Sequence, residues 1–280
     1  MKKQSIAVVC TGGGTRAAYS VGVLRALAEV HGIRTPNMGL ASSGGAFPLL
    51  FYLAGEFNQM YAWADLFDDD RFISFLRPWR LIDIDFLVDG IARKQVPYLC
   101  AKLDPVKTKT YISTTRVGDG QLVWFDHHDA DCFEILRASA AMPLGFRKQV
   151  EIDGERYVDG GFTAGENVLI KKAFDEGADL VIDIDCSAPA ARKNMFCKFL
   201  SFASHFQSYE MARIVRKYRN RQTGELTPEQ QKNIIHIGPS QPLPVTHSLD
   251  RDSDNLHAGI ELGYYDCANH PQLRMFTHAK

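Results

Sequence analysis

Apolar positions along this chain alternate between short unbroken runs and stripes at helical spacing. Ile6-Ala7-Val8-Val9-Cys10 is an unbroken run, the pattern of a strand covered on both faces. Ala17, Val21, Leu24, Leu27 and Ala28 then recur at helical spacing across residues 16–31. Thr35-Pro36-Asn37 reads as a loop and Met38 to Ala41 as a second strand. From Gly45 to Leu53 the run is apolar throughout, as in a helix buried all round. This β-α-β-α opening predicts an α/β fold of three layers, a parallel-rich sheet flanked by helices. Residues 107–126 alternate as strands around Gly118-Asp119-Gly120, and 147–158 read as a hairpin around Asp153-Gly154. Further strands are predicted over Asp179 to Ile184 and Ile234 to Ile237, and helices over Asp131 to Ala141, 167–177, 194–221 and 254–269. No internal repeat or long linker interrupts the pattern. One domain over 1–280 is expected, with the aromatic and charged stretch at about 56–97 as a helical cap-like insertion.

Composition narrows the function classes. A net charge of −1 over 280 residues gives no reason to expect nucleic-acid binding. No apolar run approaches the roughly 18 residues that span a bilayer, so membrane contact would be peripheral. Met1-Lys2-Lys3 precedes only a short strand, and no signal peptide is expected. The six cysteines are scattered without a CxxC pair, which predicts buried free thiols in a cytoplasmic protein.

Three segments carry chemistry. Gly12-Gly13-Gly14 follows the first strand and leads into a helix, so its N–H groups can face an anion with help from the helix dipole. Ala41-Ser42-Ser43-Gly44-Gly45 fits the nucleophile elbow G-x-S-x-G with Ala for the first glycine, and puts Ser43 rather than Ser42 at its centre. Small neighbours suit a turn where strand and helix pack closely. None of the nine histidines occupies the late strand-end loop expected of a triad histidine. Asp159 follows the strand end Arg156-Tyr157-Val158 and precedes Gly160-Gly161, and is the better base for Ser43. Gly12-x-Gly14-x-x-Ala17 also satisfies a dinucleotide fingerprint, but the second predicted strand ends in Ala41-Ser42-Ser43, without the ribose-binding acid.

Taken together these motifs resemble the patatin-like phospholipases, over roughly residues 5–185. The family's G-G-G-x-R-G appears as Gly12-Gly13-Gly14-Thr15-Arg16-Ala17, its G-x-S-x-G as Ala41 to Gly45, and its D-G-G as Asp159-Gly160-Gly161. Ala138-Ser139-Ala140-Ala141-Met142-Pro143 looks like the family's A-S-x-A-x-P helix end. The resemblance implies a lipid acyl hydrolase with Ser43 as nucleophile and Asp159 as base. Gly12, Gly13 and Gly14 then form the oxyanion loop, with Arg16 bracing it. Ala17 and Ala41 stand where the family has glycine, and Ala41 is expected to strain the elbow. No metal or organic cofactor is implied, and the partner expected is a lipid or other acyl-ester substrate. A weakly active lipid-binding protein, or a nucleotide-binding protein using Gly12 to Gly14, are the competing readings.

Other features have simpler explanations. His127-His128-Asp129 with Asp131 could suggest a metal, but adjacent histidines are expected to point apart, and helix capping by Asp129 or Asp131 is preferred. Asp68-Asp69-Asp70 reads as a solvated helix end. Residues 192–221 carry eight basic residues against Glu210, interleaved with Phe196, Phe199, Phe202 and Phe206. That pattern suits either a packed helix with a basic outer face or a helix lying on a membrane. The aromatics of 47–87, including Phe47, Phe51, Trp63, Phe67 and Phe72, could line an acyl pocket or fill the core.

Overall fold

A computed structural model describes residues 4–74, 76–77, 80–143, 145–146, 148–165, 167–186 and 224–274. The basic helical segment expected over 194–221 lies outside the described residues, as do Phe75 and Trp79. Eight strands form one mixed, mostly parallel sheet: β1 (Ile6–Cys10), β2 (Met38–Ser42), β3 (Lys109–Arg116), β4 (Leu122–Phe125), β5 (Val150–Ile152), β6 (Glu155–Asp159), β7 (Leu180–Ile184) and β8 (Ile234–Ile237). The pairing path runs β5-β6-β3-β2-β1-β7-β8, with β4 on β3. The pairs β1–β2, β1–β7, β2–β3 and β7–β8 are parallel, and β3–β4, β3–β6 and β5–β6 are antiparallel.

Helices cover both faces, as the unbroken apolar strands require. The helices are α1 (Ala18–Glu29), α2 (Ala46–Leu53), α3 (Phe57–Trp63), α4 (Arg93–Gln95), α5 (Leu99–Leu103), α6 (Cys132–Ala140), α7 (Val168–Asp175), α8 (Pro228–Lys232) and α9 (Ser253–Ala268). Side chains alternate across each strand, so Val8 and Cys10 enter the larger core with α1, α2 and α9. Ala7 and Val9 instead pack with Val168, Leu169 and Ala173 of α7. The helix expected from residue 16 begins as a 3-10 turn over Gly14–Ala17, forced by the glycine loop before it. Asp131 caps α6 by accepting the Phe133 N–H at 2.8 Å. In the β5–β6 hairpin Asp153 and Gly154 both take positive φ (52° and 79°), the requirement of a type I′ turn.

Between α2 and β3 the chain builds a separate layer containing α3, an antiparallel bridge Ile73–Ile82, a π-helical stretch Phe86–Ala92, α4 and α5. The buried guanidinium of Arg137 on α6 pairs with Asp85 and with Asp89 at 2.9 Å, fastening this layer to the sheet's helices. Arg251 pairs with Asp70, and His257 Nε2 meets Asp65 at 2.8 Å, fastening it to α9 as well. Asp69 accepts the Arg71 N–H and pairs with its guanidinium, so the Asp68–Asp70 run serves a turn, not a helix end.

Cysteine pairing departs from the expectation of free thiols. Cys100 on α5 and Cys132 at the start of α6 form a disulfide, with Cα atoms 5.6 Å apart. The two are 32 residues apart in sequence and meet only because α5 packs on α6. Cysteine usage therefore no longer argues for a reducing compartment. Among the described residues Cys10, Cys186 and Cys267 are free and buried, and no helix is long and apolar enough to cross a membrane.

Candidate active site

Ser43 sits where β2 turns into α2. Ser42 is still extended (φ −138°), Ser43 takes φ 53°, and a 3-10 turn over Ser43–Gly45 feeds α2. A non-glycine residue in the left-handed region is strained and persists only where its surroundings hold it. The glycines permit the crowding: a Cβ on Gly44 would lie 2.6 Å from the Gly14 carbonyl oxygen, and one on Gly45 equally close to those of Cys10 and Thr11. Strain was expected at Ala41, but that residue lies in regular strand backbone, paired to Cys10 and Ile112. The strained residue is the serine itself. Ser42, the alternative nucleophile, is buried in β2, and its Oγ has no partner among the described residues.

Sheet topology brings Asp159 to Ser43. β3 pairs with β2 up to Ser42↔Ser113 and with β6 from Thr114↔Asp159. β4 occupies the opposite edge, because it pairs with the same β3 residues as both of the others. β2 and β6 therefore run toward each other along one edge of β3 and end on successive residues of it. Ser43 Oγ donates to Asp159 Oδ2 at 2.6 Å, and Gly161 N–H donates to Oδ1 at 2.8 Å. Thr115 Oγ1 donates to the Asp159 carbonyl at 2.8 Å, and the Asp159 N–H to Ala141 O at 3.1 Å. A Cβ on Gly160 would lie 2.4 Å from the Ser113 carbonyl oxygen, so the residue after Asp159 must be small. Burial pushes the Asp159 carboxyl up to about 6, against the Ser43 and Gly161 hydrogen bonds that pull it down.

Ser139, inside the A-S-x-A-x-P segment but given no role from sequence, accepts the Ser43 N–H at 3.0 Å and donates to Ser113 O at 2.9 Å. It ties the strained serine to β3. No histidine among the described residues hydrogen-bonds Ser43 or Asp159. His127 and His128 do not point apart: their rings lie 3.9 Å from each other, and their ligand atoms cluster with that of Asp126. His127 Nδ1 meets Thr110 Oγ1 at 3.1 Å, and His128 Nδ1 meets Asp126 Oδ1 at 2.8 Å.

The glycine loop lies beside Ser43. A Cβ on Gly12 would come 2.9 Å from that of Ser43, and Gly14 takes φ 59° with Ser248 O against it. The Thr15 N–H donates to Ser248 O at 3.1 Å, which ties the end of the loop to the segment before α9. Arg16 is buried and donates to Cys186 O at 2.9 Å and Val245 O at 2.8 Å, tying the loop to the end of β7 and to the segment before α9. From Ser43, Gly14 and Thr15 a pocket enclosing about 790 Å³, mouth included, extends between α1, α2, α9 and the layer before β3. Phe47, Trp63, Phe67 and Phe72 line it, whereas Phe51 packs in the core. Among the described residues of the lining, Thr15, Ser43 and Ser248 bring the only hydroxyls and no side chain is charged.

Residues 8–173 match the family model for patatin-like phospholipase. The chain is 28% identical over 189 residues to an uncharacterized protein, YjjU, of Escherichia coli K12, a match covering 64% of this chain and 51% of that one. It thus spans about half the length of the curated relative it matches. The solved structure of VipD from Legionella pneumophila is similar in fold, with a TM-score of 0.50 and 12% identity over 96% of this chain and 66% of that one.

Proposed function

The chain belongs to the patatin-like phospholipase family, and on that premise we propose that it hydrolyses carboxylic esters of lipids through an acyl-enzyme on Ser43. One observation carries the reading. A serine hydroxyl in a strained turn donates at 2.6 Å to a buried carboxylate, at the polar end of an apolar pocket. In this scheme the Ser43 Oγ attacks the ester carbonyl carbon while its proton passes to Asp159 Oδ2. The N–H groups of the Gly12–Gly14 loop and of Gly44 hold the oxyanion. Collapse breaks the ester bond, and the leaving alkoxide takes the proton from Asp159. Water then attacks the acyl-enzyme, gives its proton to Asp159, and the carboxylic acid departs as Ser43 regains its hydrogen. The apolar pocket suits an acyl chain and fits neither the charged phosphates nor the ribose of a nucleotide.

Labelling with a fluorophosphonate followed by intact mass tests the reading. Wild type is expected to take one adduct, Ser43→Ala none and Asp159→Asn little. A folded wild type that takes no adduct and releases no p-nitrophenol from acyl esters would leave a lipid-binding role instead.

A further inference from the structure

One bond in the layer that walls the pocket has no part in the hydrolytic scheme. Phe72, Ile73, Ile82, Ile84 and Leu87 of that layer line the pocket. The layer ends in α5, whose Cys100 is bonded to Cys132, the first residue of α6. α6 holds the Ser43 N–H through Ser139, and its last residue, Ala140, reaches the pocket. The disulfide therefore joins the wall to the helix that supports Ser43. Around it the two are joined by ion pairs. Arg93 meets Asp131 at 3.5 Å and Glu134 at 3.7 Å, but its side chain is 40% exposed, so these contacts hold weakly. Arg137 pairs with Asp85 and Asp89. The bond is also placed to be opened. Cys132 is fully buried, whereas Cys100 is half-buried and offers its sulfur to an attacking thiolate. Cys100 Sγ lies 3.8 Å from Asp131 Oδ1. A disulfide sulfur has no proton to give, so that carboxylate gains a donor only when Cys100 is reduced.

We propose that the Cys100–Cys132 bond is a reversible redox switch on the pocket. Oxidised, it holds the layer against α6 and the pocket grips a long acyl chain. Reduced, it lets the layer open locally and that grip weakens. The inference rests on the hydrolase reading for the chemistry of the ligand and adds the regulation of the same site. The reductant is a dithiol. One of its thiolates attacks Cys100 Sγ, the S–S bond breaks, and Cys132 leaves as a thiolate that takes up a proton. The second thiolate attacks the mixed disulfide, Cys100 leaves and is protonated, and the reductant departs as a cyclic disulfide. Both electrons and both protons come from the dithiol.

The test measures kcat/KM for p-nitrophenyl dodecanoate and p-nitrophenyl acetate before and after dithiothreitol, with alkylation and intact mass reporting the state of the bond. An acetyl group is too short to use the wall. Reduced wild type is expected to lose about fivefold or more with the dodecanoate, as if the closed wall were held about a fifth of the time. The acetate should change by less than about twofold on the same scale. Reoxidation should restore the loss, and Cys100→Ala/Cys132→Ala should behave as the reduced protein and ignore dithiothreitol. Equal losses on both esters would overturn the proposal. So would no loss in wild type once both thiols are alkylated, a loss in the double variant on adding dithiothreitol, or both thiols free before treatment. A second readout needs neither turnover nor the double variant: the Kd of Ser43→Ala for dodecanoic acid should rise by the same factor on reduction. An unchanged Kd also overturns the proposal. If folded wild type hydrolyses neither ester, the hydrolase reading falls and the Kd still decides the switch.

Discussion

At the scale of single residues, the site opposes stability to reactivity. Asp159 is held above its ordinary 3.8, at about 6, chiefly by burial. Below pH 4 the carboxyl is neutral in folded and unfolded chains alike. Between about 4 and 6 the unfolded chain ionises first and stability falls, and above 6 the cost is complete, about 3 kcal/mol. Asp159→Asn should therefore stabilise the protein by about 1–3 kcal/mol at pH 8 and hardly at pH 4. Denaturant titrations at the two values read this, and turnover should be lost. In wild type the base must be ionised, so kcat/KM should rise with pH through about 6 and then level. Ser139→Ala would leave the half-buried Ser43 N–H without its acceptor. It is expected to cost about 1–3 kcal/mol and to lower kcat by roughly tenfold or more with little change in KM. A change confined to stability would reduce Ser139 to a packing role.

Two of the places where elements meet through backbone contact are open to test by substitution. At the end of β6, a methyl on Gly160 would press on the β3 carbonyl that fixes where Asp159 stops. Gly160→Ala should draw Asp159 away from Ser43 and slow fluorophosphonate labelling by about tenfold or more, without emptying the pocket. Between α1 and α9, a Cβ on Gly22 would lie 1.8 Å from the Ile260 carbonyl oxygen, and one on Gly263 2.1 Å from that of Tyr19. Gly22→Ala is expected to lower stability by about 3 kcal/mol or more, since overpacking here meets backbone and not a mobile side chain. Its measured denaturation midpoint would expose an error in this packing.

Across the whole molecule, the glycine loop depends on segments far from it in sequence. Residues 8–173 carry the family match, yet Val245 and Ser248 hold the glycine loop and α9 covers α1. The layer that walls the pocket is fastened by Arg137, by Arg251 and by the Cys100–Cys132 disulfide. Reduction of that bond is expected to cost about 3–4 kcal/mol on the chain-entropy estimate for a loop of this size. Alkylating the denatured, unreduced protein should leave Cys100 and Cys132 unlabelled. Labelling of both would mean that the thiols are free after all.

Local pattern was enough for the opening β-α-β-α run, for the turn that presents Ser43, and for the strand end at Asp159, because each depends on neighbours within a few residues. Runs such as Ala7 to Cys10 must be covered on both faces wherever the chain folds, and Gly44 and Gly45 announce a close crossing without naming what crosses. What lies opposite was decided by tertiary structure. The meeting of Ser43 with Asp159 follows from two strands ending on adjacent residues of β3. The carboxyl's raised pKa follows from burial that no single segment supplies. Ser139 beneath Ser43, Arg16 on the carbonyls of Cys186 and Val245, the pairing of Cys100 with Cys132 and Trp63 in the pocket wall are all contacts across long stretches of chain. Their energies depend on distance and desolvation, quantities that the order of residues along a chain does not contain.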